Sequence, residues 1–241
     1  PRLADGPDLQ ALELLLKTLR PRLFFTQSLA HNPTGSDLAL PKARAVLRLA
    51  QQYNLLLVEN DVLSDFRPAT APRLSALDGL ERTLYLGSFS KSMSAALRVG
   101  FVACSPDLAQ ELADLKILTS ISSSEYAERA VEAVLAERHY ARHLEQLRGK
   151  LAEATQNAYA LLDRMGAEVF VRPAHSLFIW ARWPGFADAQ ALAQAMLGHG
   201  IVMAPGNIFC VDSEQACPWS RCNPHAVLDP RFARALERLR G

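Results

Sequence analysis

The chain has 241 residues, 49% of them hydrophobic and 21% charged, which suits a soluble globular protein with one large domain or one and a half smaller ones. A formal net charge of +1 leaves no basic field for nucleic acid and no acidic tail for a cationic partner. No apolar run reaches the ~18 residues of a membrane helix, and no signal peptide opens the chain. From the N-terminus, residues 9–19 have helical periodicity and 23–26 form a brief apolar run. Residues 41–53 read as a helix with Pro41 near its first turn, followed by a buried-strand run at 55–59. Two further strands, 83–87 and 98–104, flank a polar segment. This alternation predicts an α/β domain with a largely parallel sheet and functional groups at the strands' C-terminal ends. Helices follow at 107–118 and 125–137, then one long helix over 139–165. Beyond it, strands at 168–171, 176–183 and 201–203, with a helix at 187–199, suggest a small α+β domain hinged on the long helix. Residues 230–240 close the chain as a helix, with Asp229 as N-cap and Pro230 at the first helical position. The expected division is residues 1–138 and 139–241.

The four cysteines, Cys104, Cys210, Cys217 and Cys222, form no CxxC and sit near no histidine pair at zinc-ligand spacing. Reduced, mostly buried thiols in a cytoplasmic protein are expected, with no metal site. His139, His143, His199 and His225 show no ligand spacing. Trp180 and Trp183, three apart, should face opposite sides of a strand, with at least one in the core. Pro1 rather than Met opens the chain, as expected of a processed product or an expression fragment.

The chemistry concentrates in residues 86–101, LGSFSKSMSAALRVGF. Ser88, Ser90 and Arg98 together can bind a phosphate dianion through hydroxyl donors and a forked guanidinium. A lysine beside them, Lys91, can form an imine with an aldehyde once desolvation and positive neighbours lower its pKa. Phosphate, aldehyde and imine-forming lysine describe pyridoxal 5'-phosphate. A lone lysine after a strand is more often solvated surface, and only its neighbours weigh against that.

The segment resembles the Schiff-base region of class I/II aminotransferases, and two further stretches agree in order. HNPTG at 31–35 resembles the turn whose asparagine hydrogen-bonds the cofactor's phenolic oxygen, which assigns Asn32 that role by resemblance. WSRCN at 219–223 resembles the strand whose arginine binds the substrate carboxylate, which points to Arg221. VENDVLSDF at 58–66 and APGNIF at 204–209 are most similar to MocR-type regulators, in which a GntR-type winged-helix head is fused to an aminotransferase-like body. The resemblance implies PLP fold type I, with an incomplete large domain of mostly parallel sheet and a small α+β C-terminal domain. It also implies a homodimer, a small amino compound as effector or substrate, and DNA contact only through an absent N-terminal head. For His31 and His175 a role in the site is the lesser expectation: His31 reads first as an exposed turn histidine that could lie near the cofactor, and His175 could line the substrate pocket or partly fill it.

One departure bears on function. Where the family places an aspartate on the pyridine nitrogen, the best register has Asn60, and the following tyrosine becomes Val62 or Leu63. A rival register puts Asp61 on the nitrogen, but strand alternation points Asn60 and Asp61 to opposite faces. Losing that carboxylate lowers transition-state stabilisation by a few kcal/mol, or roughly a hundredfold in rate. Expected, then, is a PLP-binding effector and oligomerisation domain of a regulator with weak catalysis, the alternative being an amino-acid aminotransferase. Weak or absent cofactor is expected for the fragment itself.

Overall fold

A computed structural model describes residues 1–67, 71–136 and 139–240. Residues 137 and 138, where the sequence places a helix end and a domain boundary, lie outside the described residues. The chain forms two compact units, residues 1–29 with 37–146 and residues 30–36 with 147–241.

The first unit opens with a short hairpin, β1 (Arg2–Leu3) and β2 (Gly6–Pro7), and continues with α1 (Leu9–Leu19). Asp8 caps α1 by accepting from the amides of Gln10 (3.0 Å) and Ala11 (3.1 Å), and Leu12 and Leu16, one turn apart, are its buried stripe. Next come β3 (Leu23–Thr26), α2 (Leu40–Gln52) and β4 (Leu56–Asn60), then α3 (Leu74–Asp78), β5 (Thr83–Ser88) and β6 (Gly100–Ala103). In α2 the buried Ala43, Val46 and Ala50 recur at helical spacing and join Leu12, Leu16, Leu55, Leu57 and Leu74 in one core. The strands form a sheet in the order β3-β4-β5-β6. β3 with β4 and β4 with β5 are parallel, whereas β6 runs antiparallel to β5. The expected strand at 98–104 is thus an antiparallel edge confined to Gly100–Ala103. Close approach fixes two glycines in that pair. A Cβ on Gly87 would lie 2.3 Å from the Phe101 ring, and one on Gly100 would lie 2.9 Å from the Gly87 carbonyl oxygen.

Glu59 interrupts the apolar run of β4 and is fully buried. Its carboxylate accepts from the Leu74 amide (2.8 Å), the Ser75 amide (2.9 Å), the Ser75 hydroxyl (2.6 Å) and the Ser28 hydroxyl. Four donors make a buried carboxylate tolerable and fasten α3 to the strand. Ser28→Ala removes one, and a lowering of the unfolding free energy by about 1–2 kcal/mol is expected as a lower urea midpoint.

Helices α4 (Pro106–Ser120) and α5 (Glu125–Ala136) complete the unit, and α6 (His139–Arg164) runs on into the second. Phe25, Phe101, Val102, Leu118 and Ile121 are exposed, and α4 buries no residue.

In the second unit, β7 (Glu168–Val169), β8 (Ile179–Arg182), β9 (Ala204–Pro205) and β10 (Trp219–Cys222) form a sheet in the order β7-β8-β10-β9, antiparallel throughout. Helices α7 (Ala189–Leu197), α8 (Pro224–Val227) and α9 (Pro230–Arg240) pack with the end of α6 around Leu162, Ile179, Trp183, Leu192, Met196 and Phe232. Both Trp180 and Trp183 are buried, because Trp183 lies beyond the end of β8 and escapes its alternation. The expected strands at 168–171 and 176–183 shorten to Glu168–Val169 and Ile179–Arg182, and the one expected at 201–203 is absent. At 176–178 the Ser176 hydroxyl donates to the Phe178 carbonyl (2.6 Å) and accepts from its amide (3.2 Å), which makes a turn. At 201–203 there is no ladder: the Ile201 amide donates back to Met196 (3.1 Å), and pairing starts only at Ala204. No helix among the described residues is long and apolar enough to cross a membrane.

Candidate functional site

In the first unit the site forms where parallel strands end. Asn60 is the last residue of β4 and pairs in register with Leu86 of β5, and Ser88 ends β5. Ser90, Lys91 and Arg98 lie on the connection from β5 to β6. The Ser90 amide donates to the Ser88 hydroxyl oxygen (3.1 Å), and that hydroxyl donates to the Val99 carbonyl (3.4 Å), so the connection returns close to its start. Lys91 is exposed, and among the described residues its ammonium makes no hydrogen bond or ion pair. Arg98 is exposed as well, and one guanidinium nitrogen touches the Ala95 carbonyl (3.4 Å). Its backbone is left-handed, with φ 54°, which costs a non-glycine residue on the order of 1–2 kcal/mol.

The connection is held from beneath. Ser92, the residue after Lys91, is buried, and its hydroxyl donates to the Tyr140 hydroxyl oxygen (2.6 Å). The His143 Nε2–H donates to the Ser92 carbonyl (2.8 Å), and Tyr140 in turn donates to Asp65. The Phe89 ring packs against Phe101 (6.0 Å) and edge-on against Tyr140 (5.9 Å). The first turns of α6 therefore fix the backbone on both sides of Lys91, while its amine stays uncommitted.

Asp61 follows the last residue of β4. Its carboxylate is buried, receives Arg73 Nε (2.7 Å) and the Tyr85 hydroxyl (3.0 Å), and leaves Oδ1 with no partner among the described residues. Burial raises its pKa against the pull of Arg73 and Tyr85. The Asn60 carboxamide accepts only a long bond from the Val62 amide (3.4 Å). Asp61 is spent on structure, and the Asn60 side-chain amide N–H makes no hydrogen bond among the described residues.

In the second unit, the turn at 31–35 is built around Gly35, whose φ of 72° and approach to the Phe178 carbonyl (2.8 Å for an added Cβ) admit no other residue. His31 is tied to Thr34 through Nδ1 (2.9 Å). Arg221 of β10 donates to the Asn32 side-chain oxygen (2.7 Å), which joins two sequence-predicted residues far apart in the chain. The Arg221 guanidinium also lies over the Phe178 ring (4.8 Å) and the Phe209 ring (5.2 Å). It lines a cleft of about 300 Å³ with Phe178, Met203, Asn223 and Phe232, and burial lowers its pKa. A larger hollow of about 500 Å³ beside Glu168 and Arg182 holds no group of the predicted set. Among the described residues no three His, Cys, Asp or Glu side chains cluster as metal ligands do.

Ser92, Tyr140, His143 and Arg73 were missed by sequence reasoning, because their contacts join positions far apart in the chain. These residues fit a phosphorylated aldehyde in their chemistry. An uncommitted amine stands on a braced loop, hydroxyl and guanidinium donors share that loop, and a side-chain amide ends the neighbouring strand.

The profile of the family described as Aminotransferase class I and II matches residues 4–239. The chain is 34% identical over 224 residues to the uncharacterized HTH-type transcriptional regulator YdcR of Escherichia coli, covering 90% of this chain and 46% of that one. It is 32% identical over 212 residues to 2-aminoadipate transaminase of Thermus thermophilus, covering 85% and 53%. The chain thus spans about half the length of the curated relatives it matches. Among solved structures, the α-aminoadipate aminotransferase LysN of Thermus thermophilus, complexed with N-(5'-phosphopyridoxyl)-L-leucine, superposes with a TM-score of 0.86 at 29% identity. That match covers 99% of this chain and 64% of LysN.

Proposed function

The chain belongs to the class I and II aminotransferase family, and from that premise we propose that it is the PLP-binding, effector-sensing body of a MocR-type transcriptional regulator. The observation that carries this reading is the uncommitted Lys91 amine on a loop braced through Ser92 by Tyr140 and His143. Lys91 holds the cofactor's aldehyde carbon, Ser88, Ser90 and Arg98 bind its phosphate, and Asn32 donates its carboxamide N–H to the phenolic oxygen. When bound, the cofactor supplies an electrophilic aldehyde for an amino compound and a ring that accepts electron density. Asn60 hydrogen-bonds the ring nitrogen without neutralising it, and Arg221 binds the effector's carboxylate. DNA is bound by a helix-turn-helix segment outside this chain, as the kinship with YdcR suggests, and the regulator acts as a cytoplasmic homodimer.

The full-length protein, incubated with PLP and reduced with borohydride, tests the reading. A phosphopyridoxyl mass on the Lys91 peptide is expected, and its absence at saturating PLP would count against the proposal.

A transaminase is the second reading, favoured by the likeness to 2-aminoadipate transaminase. The commitment of Asp61 to Arg73 and Tyr85 argues for a slow one. Asn60→Asp is expected to raise the single-turnover rate of amino-group transfer about tenfold, by placing a carboxylate at the ring nitrogen. A wild-type rate already typical of transaminases, unchanged in Asn60→Asp, would favour the enzyme.

A further inference from the structure

The sequence predicts mostly buried thiols, yet only Cys222 is buried; Cys104 and Cys217 are half-buried and Cys210 is exposed. Two of the four converge. The Cys210 thiol contacts the Gly206 carbonyl oxygen (3.5 Å), and the Cys217 sulfur lies 2.5 Å from where a Cβ on Gly206 would sit. Both thiols therefore adjoin the same residue, Gly206.

Their backbones are held in place independently. The Cys210 amide donates to the Asn207 carbonyl (3.0 Å) at the end of the 3₁₀ turn Gly206–Phe209. The Cys217 carbonyl accepts from the Ala189 amide (2.8 Å) at the start of α7. Between them the exposed loop is fastened at its middle, where Asn207 Nδ2 donates to the Ser213 carbonyl (2.9 Å). A loop pinned at both ends and at its centre keeps both sulfurs beside Gly206, and an S–S bond forms where the two Cα atoms come within about 7 Å.

We propose that Cys210 and Cys217 form a reversible disulfide, a redox modification site driven by a hydroperoxide. The Cys210 thiolate attacks the peroxide, the O–O bond breaks, and Cys210 becomes a sulfenic acid as the leaving oxygen departs as water. The Cys217 sulfur then displaces the sulfenic hydroxyl, also released as water. One S–S bond forms, two thiols lose two electrons and two protons in total, and one hydrogen peroxide becomes two waters. A dithiol reverses the step by exchange.

The order of events follows from exposure. Cys210 meets the oxidant at the surface, whereas Cys217 is half-buried and less open to peroxide, which leaves it to resolve the sulfenic acid formed beside it. Cys222, fully buried and pushed up to about 12, stays a thiol at neutral pH. The pair also adjoins the cleft in the same unit, since Phe209, next to Cys210, is one of the two rings against Arg221.

The wild-type protein supplies the test without any variant. After mild hydrogen peroxide and thiol blocking, cleavage after Glu214 separates the two cysteines. A pair of fragments joined by a dithiol-sensitive link, lighter by two hydrogens than their sum, is the expected result. Cys210→Ser and Cys217→Ser should each abolish the link, and Cys104→Ser should leave it unchanged. Separate fragments, a link to Cys104 or Cys222, or a link between two chains would each overturn the proposal.

Discussion

Lys91→Ala is expected to eliminate covalent capture of pyridoxal phosphate completely, with no adduct surviving borohydride reduction and no visible absorption of the bound cofactor. The imine needs a neutral primary amine held where the aldehyde arrives, and no neighbouring side chain on the β5–β6 connection offers one. Lys17 and Lys42 are already paired with Glu13 (2.8 Å) and Asp5 (2.7 Å). Stability should stay where it is, because the Lys91 side chain is exposed and makes no hydrogen bond or ion pair among the described residues. A urea midpoint within error of wild type makes the loss of capture chemical, not structural. Lys91→Arg separates the remaining possibility. It keeps the positive charge for the phosphate but cannot form the imine, so reversible cofactor binding should persist while the adduct disappears. Adduct on another lysine in Lys91→Ala would show that the braced loop is not the attachment point.

Much of the first unit was legible because its signals are local. Leu12 and Leu16, and Ala43, Val46 and Ala50, mark helices by spacing, and Asp8 announces the start of α1. The direction of β6 was harder to read. A polar stretch from Phe89 to Val99 links it to β5, and a connection with only the 3₁₀ turn Ala95–Leu97 and no α-helix is too short for the crossover a parallel neighbour requires. Helix–strand alternation elsewhere hid that exception. The motif around Lys91 showed which residues carry chemistry but not what holds them. Ser92 reads as one more hydroxyl in a serine-rich stretch, and only the fold brings Tyr140 and His143 to it. Glu59 is the same lesson in reverse. A charge within an apolar run hints at a partner, yet the partners Ser28 and Ser75 come from either side of the sequence. The Arg73 and Tyr85 contacts that claim Asp61 were not legible either.

Arg221→Met is expected to weaken binding of amino acids to the cofactor-loaded protein about a hundredfold. Removing a charge-assisted hydrogen bond typically costs about 1.5–3 kcal/mol, and 1.4 kcal/mol is tenfold in affinity. The guanidinium is unusually well held for this role. Asn32 takes one N–H, and the Phe178 and Phe209 rings lie against it. The fork is therefore oriented before a ligand arrives, and little entropy is lost on binding. Methionine keeps an unbranched, flexible chain among those rings, so the cleft should stay packed. Arg221→Lys retains the charge but not the fork, and an intermediate loss of about tenfold is expected. The decisive comparison is between an amino acid and the amine it gives on losing its carboxylate. Wild type should prefer the amino acid, and Arg221→Met should bind the two alike while capturing pyridoxal phosphate at Lys91 as before. If the preference survives in Arg221→Met, the carboxylate is bound elsewhere and the Asn32–Arg221 pair is structural.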